Sequence, residues 1–193
     1  MLRDDSIERT KQRIREIVAG SAVPEDPRHA ENTLQWLLRL TPDADQTLHI
    51  AALGHDIDRA IEARKVQRAD FDDYDVFKAA HARNGARILS EIMVGYAVPS
   101  EIANEVYRLV CRHEVGGDAR SDLLKDADSI SYFDVNLPLY YARHGWAESK
   151  RRCLWGCRRL SPRMQPYLRG ISHHDTSIDA LLSEVLAEVS AVR

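Results

Sequence analysis

Apolar residues recur at helical intervals along almost the whole chain, and nowhere do they alternate as a half-buried strand would. Ile7, Ile14, Ile17 and Val18 mark a first amphipathic helix, which Gly20 closes. After the turn SAVPEDP, Leu34, Leu37, Leu38 and Leu40 define a second helix, on which His29 also falls. Thr41-Pro42 reads as a helix start, because proline is tolerated in the first turn. The third helix then runs through Leu48, Ile50, Ala51, Ala52 and Leu53 to His55-Asp56. Further helices are predicted from about Tyr74 to Met93 and from Pro99-Ser100-Glu101 to near His113, with a turn at Gly116-Gly117. A short helix follows with Leu123, Leu124, Asp128, Ile130 and Phe133. The remainder predicts a helix around 146–160, a short one after Pro162 and a last one from about 176 to 192. With no internal repeat or low-complexity stretch, the pattern predicts one all-α domain over 1–193.

Composition narrows the class. A chain of 193 residues is long enough for one well-packed domain, and 30% charged residues argue for a soluble one. Apolar runs are only a few residues long, so no segment is expected to span a bilayer. The start, MLRDDSIERTKQR, lacks the apolar core of a signal peptide. Three cysteines, Cys111, Cys153 and Cys157, then read as reduced thiols of a cytoplasmic protein. Cys153 and Cys157 lie four apart with no second thiol pair, and are expected to pack as small side chains on one helix face. The net charge of −3 hides a basic stretch, Arg143 to Arg169, with eight Lys or Arg and the single acid Glu148. Such polarity fits an anionic ligand.

The chemistry lies in an ordered series: His29, His55-Asp56, His81, His113 and Asp128, spaced at about one position per predicted helix. Imidazole and carboxylate are readily accepted ligands for divalent transition metals, and adjacent His and Asp can face one ion from a short helix end. Any one of these histidines alone would read better as a hydrogen-bonded core or surface residue. The full series points to a metal site in a helical bundle.

RHAENTLQWLL, AALGHDIDRA, HARNGARIL, CRHEVGGD and LLKDADSISYF carry a resemblance to the HD-domain superfamily of metal-dependent phosphohydrolases, over roughly residues 25–135. The resemblance implies an HD-type helical core over that span, and the residues beyond it, about 136–193, read as a basic helical extension. It implies His29, His55, Asp56 and Asp128 as core metal ligands and His81 and His113 as an additional pair, with Asp56 bridging two ions. One or two ions are implied, as iron or manganese, or else magnesium, cobalt, nickel or zinc. Order and spacing are similar to the bacterial members that cleave dinucleoside polyphosphates, although the acidic and arginine signature that follows the last aspartate there is absent after Asp128. The expected activity is hydrolysis of a phosphate ester or anhydride, of a small phosphorylated substrate such as a nucleotide.

Cations must then hold the phosphoryl oxygens. Arg59, one turn after His55, and Lys125, three residues before Asp128, are candidates for catalysis and substrate binding, and Arg83 for substrate binding. Glu114 could orient a water or an imidazole, or face solvent. His173-His174-Asp175 reads as a helix start, the acidic run FDDYD as a loop or helix start, and His49 and His144 as structural or exposed. KRRCLWGCRRL reads as an amphipathic helix with an arginine-rich solvated face, although a guanidinium stacked on Trp155 could receive a base or phosphate. Two other functions stay open: a diiron oxygenase built on the same ligands, and a non-catalytic binding or signalling module. RNA binding by the arginine-rich segment is a separate possibility, and the oligomeric state is not legible.

Overall fold

A computed structural model describes residues 2–191, with side chains from 5 to 191. Met1, Val192 and Arg193, on which the N-terminal and last-helix readings partly fall, lie outside the described residues. Nine α-helices and no strand are found among the described residues. They are α1 (Leu2–Ala19), α2 (Asp26–Leu40), α3 (Gln46–Gly54), α4 (Tyr74–Gly95), α5 (Ser100–Arg112), α6 (Ala119–Ser131), α7 (Leu137–Arg159), α8 (Gln165–Arg169) and α9 (Thr176–Ala191).

α3 is the axis of the bundle. Leu48 and the run Ile50–Leu53 are buried, and α1, α2, α5 and α6 all pack on this short helix. A helix that is apolar on every side belongs in an interior, where each buried Leu or Ile contributes about 1.5–3 kcal/mol. Its start differs from the expected one: Thr41 closes α2, Pro42 lies in the turn, and Asp45 caps α3 by accepting from the Leu48 N–H at 3.1 Å. A carboxylate on the orphan N–H groups of a first turn outweighs proline's weaker preference. FDDYD does open a helix, with Asp73 capping α4 through the N–H groups of Asp75 and Val76.

α4 pairs with α5, and α2 with α6, around α3. Between α5 and α6 the chain reverses at Gly116 and Gly117, whose φ values of 72° and 118° favour glycine. A Cβ on Gly116 would also sit 2.0 Å from Asp122 Oδ1. α6 runs into a π-helical turn, Tyr132–Asn136, of a kind that often re-aims side chains at functional sites. α7 is longer than the sequence predicts. It starts at Leu137, with Pro138 in the first turn, and Gly145 (φ 71°, ψ −173°) breaks it where the predicted helix begins. Its second half buries Cys153 and Cys157, neither in a disulfide, as the spacing predicts, and α9 packs against it. No described helix is long and apolar enough to cross a membrane.

Candidate metal centre

α3 ends at His55, and the backbone leaves helical geometry at Asp56 (φ −105°, ψ 16°) before a single 3₁₀ turn, Ile57–Ala60. That break lets two neighbouring side chains face one point. His29 arrives from α2, His81 from α4, His113 from the end of α5 and Asp128 from α6. All four histidines are buried, and each has its Nδ1 engaged on the outer side. His55 Nδ1 donates to Ala52 O at 2.9 Å and His113 Nδ1 to Val110 O at 2.7 Å. The Ser131 hydroxyl gives its hydrogen to His29 O and so accepts from His29 Nδ1 at 2.9 Å. His81 Nδ1 lies 2.6 Å from Oδ1 of the fully buried Asp58. Partners of this kind fix the tautomer and turn every Nε2 inward, as imidazoles that bind metal require.

The inward atoms form two groups joined by one carboxylate. His29 Nε2 is 3.2 Å from His55 Nε2 and 3.1 Å from Asp128 Oδ1. Asp56 turns Oδ2 toward His55 Nε2 (3.8 Å) and Oδ1 toward His81 Nε2 (2.8 Å) and His113 Nε2 (3.8 Å). His29, His55 and Asp56 therefore offer one set of donor atoms within 4.8 Å of one another, and Asp56, His81 and His113 a second. The donor chemistry fits divalent transition metals. His113 Nε2 is buried as well, with Glu114 Oε1 at 3.2 Å its nearest carboxylate oxygen.

Charge around the centre is tightly matched. Arg59 reaches Asp56 Oδ2 at 2.8 Å and Asp26 Oδ1 at 2.9 Å. Arg159 Nη2 lies 3.0 Å from both Asp128 Oδ2 and Glu114 Oε2, and Lys78 pairs with Glu114. Burial opposes ionisation of Asp56, yet His55, Arg59 and His81 hold its carboxyl well below the usual range. Arg159 and the histidines do the same for Asp128 against the same burial. Burial pushes the His55 imidazole down, but Asp56 and Asp128 outweigh it and hold it up to about 9. Asp56 and Asp58 likewise hold His81 up to about 9 against burial.

Both imidazoles are thus protonated at neutral pH in the metal-free protein, and a metal must displace those protons. The pairs stabilise the metal-free fold below the unfolded value of 6.5, and this contribution is lost as pH rises through about 9. Metal affinity is accordingly expected to rise between pH 7 and 9, with up to two protons released per chain. Calorimetric titration with metal in buffers of different ionisation enthalpy measures that release, and an enthalpy independent of buffer would contradict it.

Not every sequence-based candidate reaches the centre. Lys125 pairs with Asp122 at 3.1 Å and lines neither cavity beside the histidines. Sharing a helix with Asp128 at a three-residue spacing did not aim both side chains at one point. Arg83 is exposed and lies on the α5 side, within electrostatic reach of Cys111. Arg59 does line the cleft, and Glu114 is buried rather than facing solvent. His173 contacts Asp179 and Phe133 O, and Asp175 accepts from the Ser177 N–H at the start of α9, so that segment stays structural. His144 is exposed and His49 half-buried.

Three side chains beside the centre escaped the sequence reading, Asp26, Asp58 and Lys78, and Arg159 was singled out there only as one arginine of KRRCLWGCRRL. Lys78 sits one turn before His81, a spacing that could have found it. On α7, Arg152, Trp155 and Arg159 fall on one helical face, and the two arginines line the cleft, whereas Arg151 and Arg158 are exposed. The expected solvated arginine face is therefore only two of the four arginines of KRRCLWGCRRL.

The fold and this donor set define an all-helical protein with a candidate two-ion His/Asp centre. The family model described as a domain of unknown function (DUF4202) matches residues 5–174, and the chain belongs to that family. No curated protein and no solved structure matches.

Proposed function

We propose that the protein is a metal-dependent phosphohydrolase of HD type, acting on a phosphate ester or anhydride of a small molecule such as a nucleotide. One observation carries the reading. The two donor sets joined by Asp56 open on a cleft of about 600 Å³ lined by Arg59, Lys65, Arg68, Lys78, Arg143 and Arg152, against only Glu25 and Asp56. An anionic substrate is the natural occupant of such a cleft.

His29, His55, Asp56 and Asp128 would hold one ion, and Asp56, His81 and His113 a second. A bound divalent ion supplies Lewis acidity, which lowers the pKa of water and neutralises phosphoryl charge. The chain's own groups supply the rest. Asp58 and Ser131 keep His81 and His29 oriented. Arg59 holds Asp56 in place and offers a guanidinium to phosphoryl oxygens. Lys78 and Arg159 flank Glu114 at the deep end of the cleft, where charge builds on the reacting group.

The test is phosphate release from a panel of nucleotides and sugar phosphates by protein reconstituted with iron or manganese, with oxygen uptake followed in parallel. Phosphate release without oxygen consumption is the expected result. Oxygen uptake that requires iron, with no phosphate released, would replace the hydrolase with an oxygenase.

A further inference from the structure

Of the six cleft cations, four are already matched by carboxylates. Arg59 pairs with Asp26 and Asp56, Lys65 with Glu62, Lys78 with Glu114, and Arg143 with Glu25. Arg68 and Arg152 have no carboxylate partner among the described residues. Both are instead laid against aromatic rings. The Arg152 guanidinium carbon is 4.3 Å from the Tyr132 ring centre and 4.4 Å from that of Trp155. That of Arg68 is 5.7 Å from Tyr74 and 5.8 Å from Phe77. Tyr74 and Trp155 meet edge-on at 6.0 Å, so the two stacks touch, and Tyr74, Phe77 and Tyr132 line the cleft.

Stacking holds a guanidinium by its faces and leaves in-plane N–H groups for an anion, all but one in Arg68, whose Nη1 donates to the Phe71 carbonyl. An arginine so held has lost its rotamer freedom in advance, which favours bidentate binding of a phosphate. Their places are ordered. Arg152 lines both the small pocket beside His29 and Asp128 and the wider cleft, whereas Arg68 lines only the wider cleft. A phosphoryl group at the metal centre would therefore have Arg152 beside it and Arg68 further toward the mouth.

We infer that Arg152 and Arg68 form a second anion subsite, so that the preferred substrate is a small molecule with at least two linked phosphoryl groups. The inference rests on the hydrolase reading for which group reacts, but the subsite itself needs no metal. A cleft of this volume suits a small molecule rather than a polynucleotide.

The test is calorimetric titration of chelator-treated, full-length protein with inorganic phosphate, pyrophosphate and tripolyphosphate. Without metal, chelation contributes nothing, and hydrolysis plays no part in the readout. Pyrophosphate is expected to bind at least about tenfold more tightly than phosphate, the gain of one charge-assisted fork. Arg152→Gln is expected to erase that difference and Arg152→Lys to restore little of it. The exposed Arg68→Gln, which threatens no core packing, is expected to weaken tripolyphosphate. Arg151→Gln, whose side chain pairs with Glu148 outside the cleft, is the control expected to change nothing. Equal affinities for phosphate and pyrophosphate in the wild type, or indifference to both Arg152→Gln and Arg68→Gln, would overturn the subsite. Arg152-dependent binding of a ten-nucleotide RNA more tightly than tripolyphosphate would overturn the small-molecule assignment. Discrimination by a protein that hydrolyses nothing would sink the hydrolase reading and leave the subsite standing; monoester hydrolysis without discrimination would do the reverse.

Discussion

Asp56→Ala is expected to abolish two-ion binding and to lower phosphate release on the order of a thousandfold, the loss of several kcal/mol of Lewis-acid stabilisation. The size of the effect follows from position. Asp56 is the only carboxylate shared by the two donor sets, with one oxygen toward His55 and the other toward His81 and His113. Removing it breaks both sets at once, whereas losing His113 would break one. The variant also leaves Arg59 with Asp26 alone, so its folding must be checked by circular dichroism beside the metal analysis. Folded protein that keeps two equivalents of metal and full activity would exclude Asp56 as the bridge.

Arg159→Ala is expected to destabilise the metal-free protein by about 3 kcal/mol, or roughly 10 °C in melting temperature. Its guanidinium is nearly buried and is shared between Asp128 and Glu114, each at 3.0 Å. Truncation leaves those carboxylates facing one another with less positive charge in a poorly solvated place. Arg159 is also the cation that most directly holds Asp128 ionised once burial is set against it. A bound metal would restore part of the missing charge, so the deficit is expected to shrink in metal-loaded protein. Scanning calorimetry of both forms measures this. Equal losses with and without metal would mean that Arg159 acts through packing on Trp155 rather than through the centre.

What was legible in the chain divides along a physical line. Helical periodicity reports burial on one face, and it located α1, α2, α4, α5, α6 and α9 because each has a face against the core. It misjudged the start of α3, where a capping side chain decided the boundary, and the length of α7, where a left-handed glycine joins two helical halves. The His/Asp series was readable because metal-ligand chemistry limits which residue types can serve, and one ligand per helix leaves a mark on spacing. The supporting charges were not readable in that way. Arg159 lies 31 residues from Asp128, and the rest of α2 and all of α3 lie between Asp26 and Arg59, so only the folded chain reveals either pair. Lys125 shows the converse error, since a favourable local spacing pointed it at Asp122 instead of the centre.

The most direct test of the whole account is metal content, by elemental analysis of protein purified without chelator and of protein reconstituted with iron or manganese. The expected result is two equivalents of a divalent transition metal per chain, one for each donor set that Asp56 joins. No bound metal after reconstitution would contradict the account and leave a helical domain whose buried histidines serve another end.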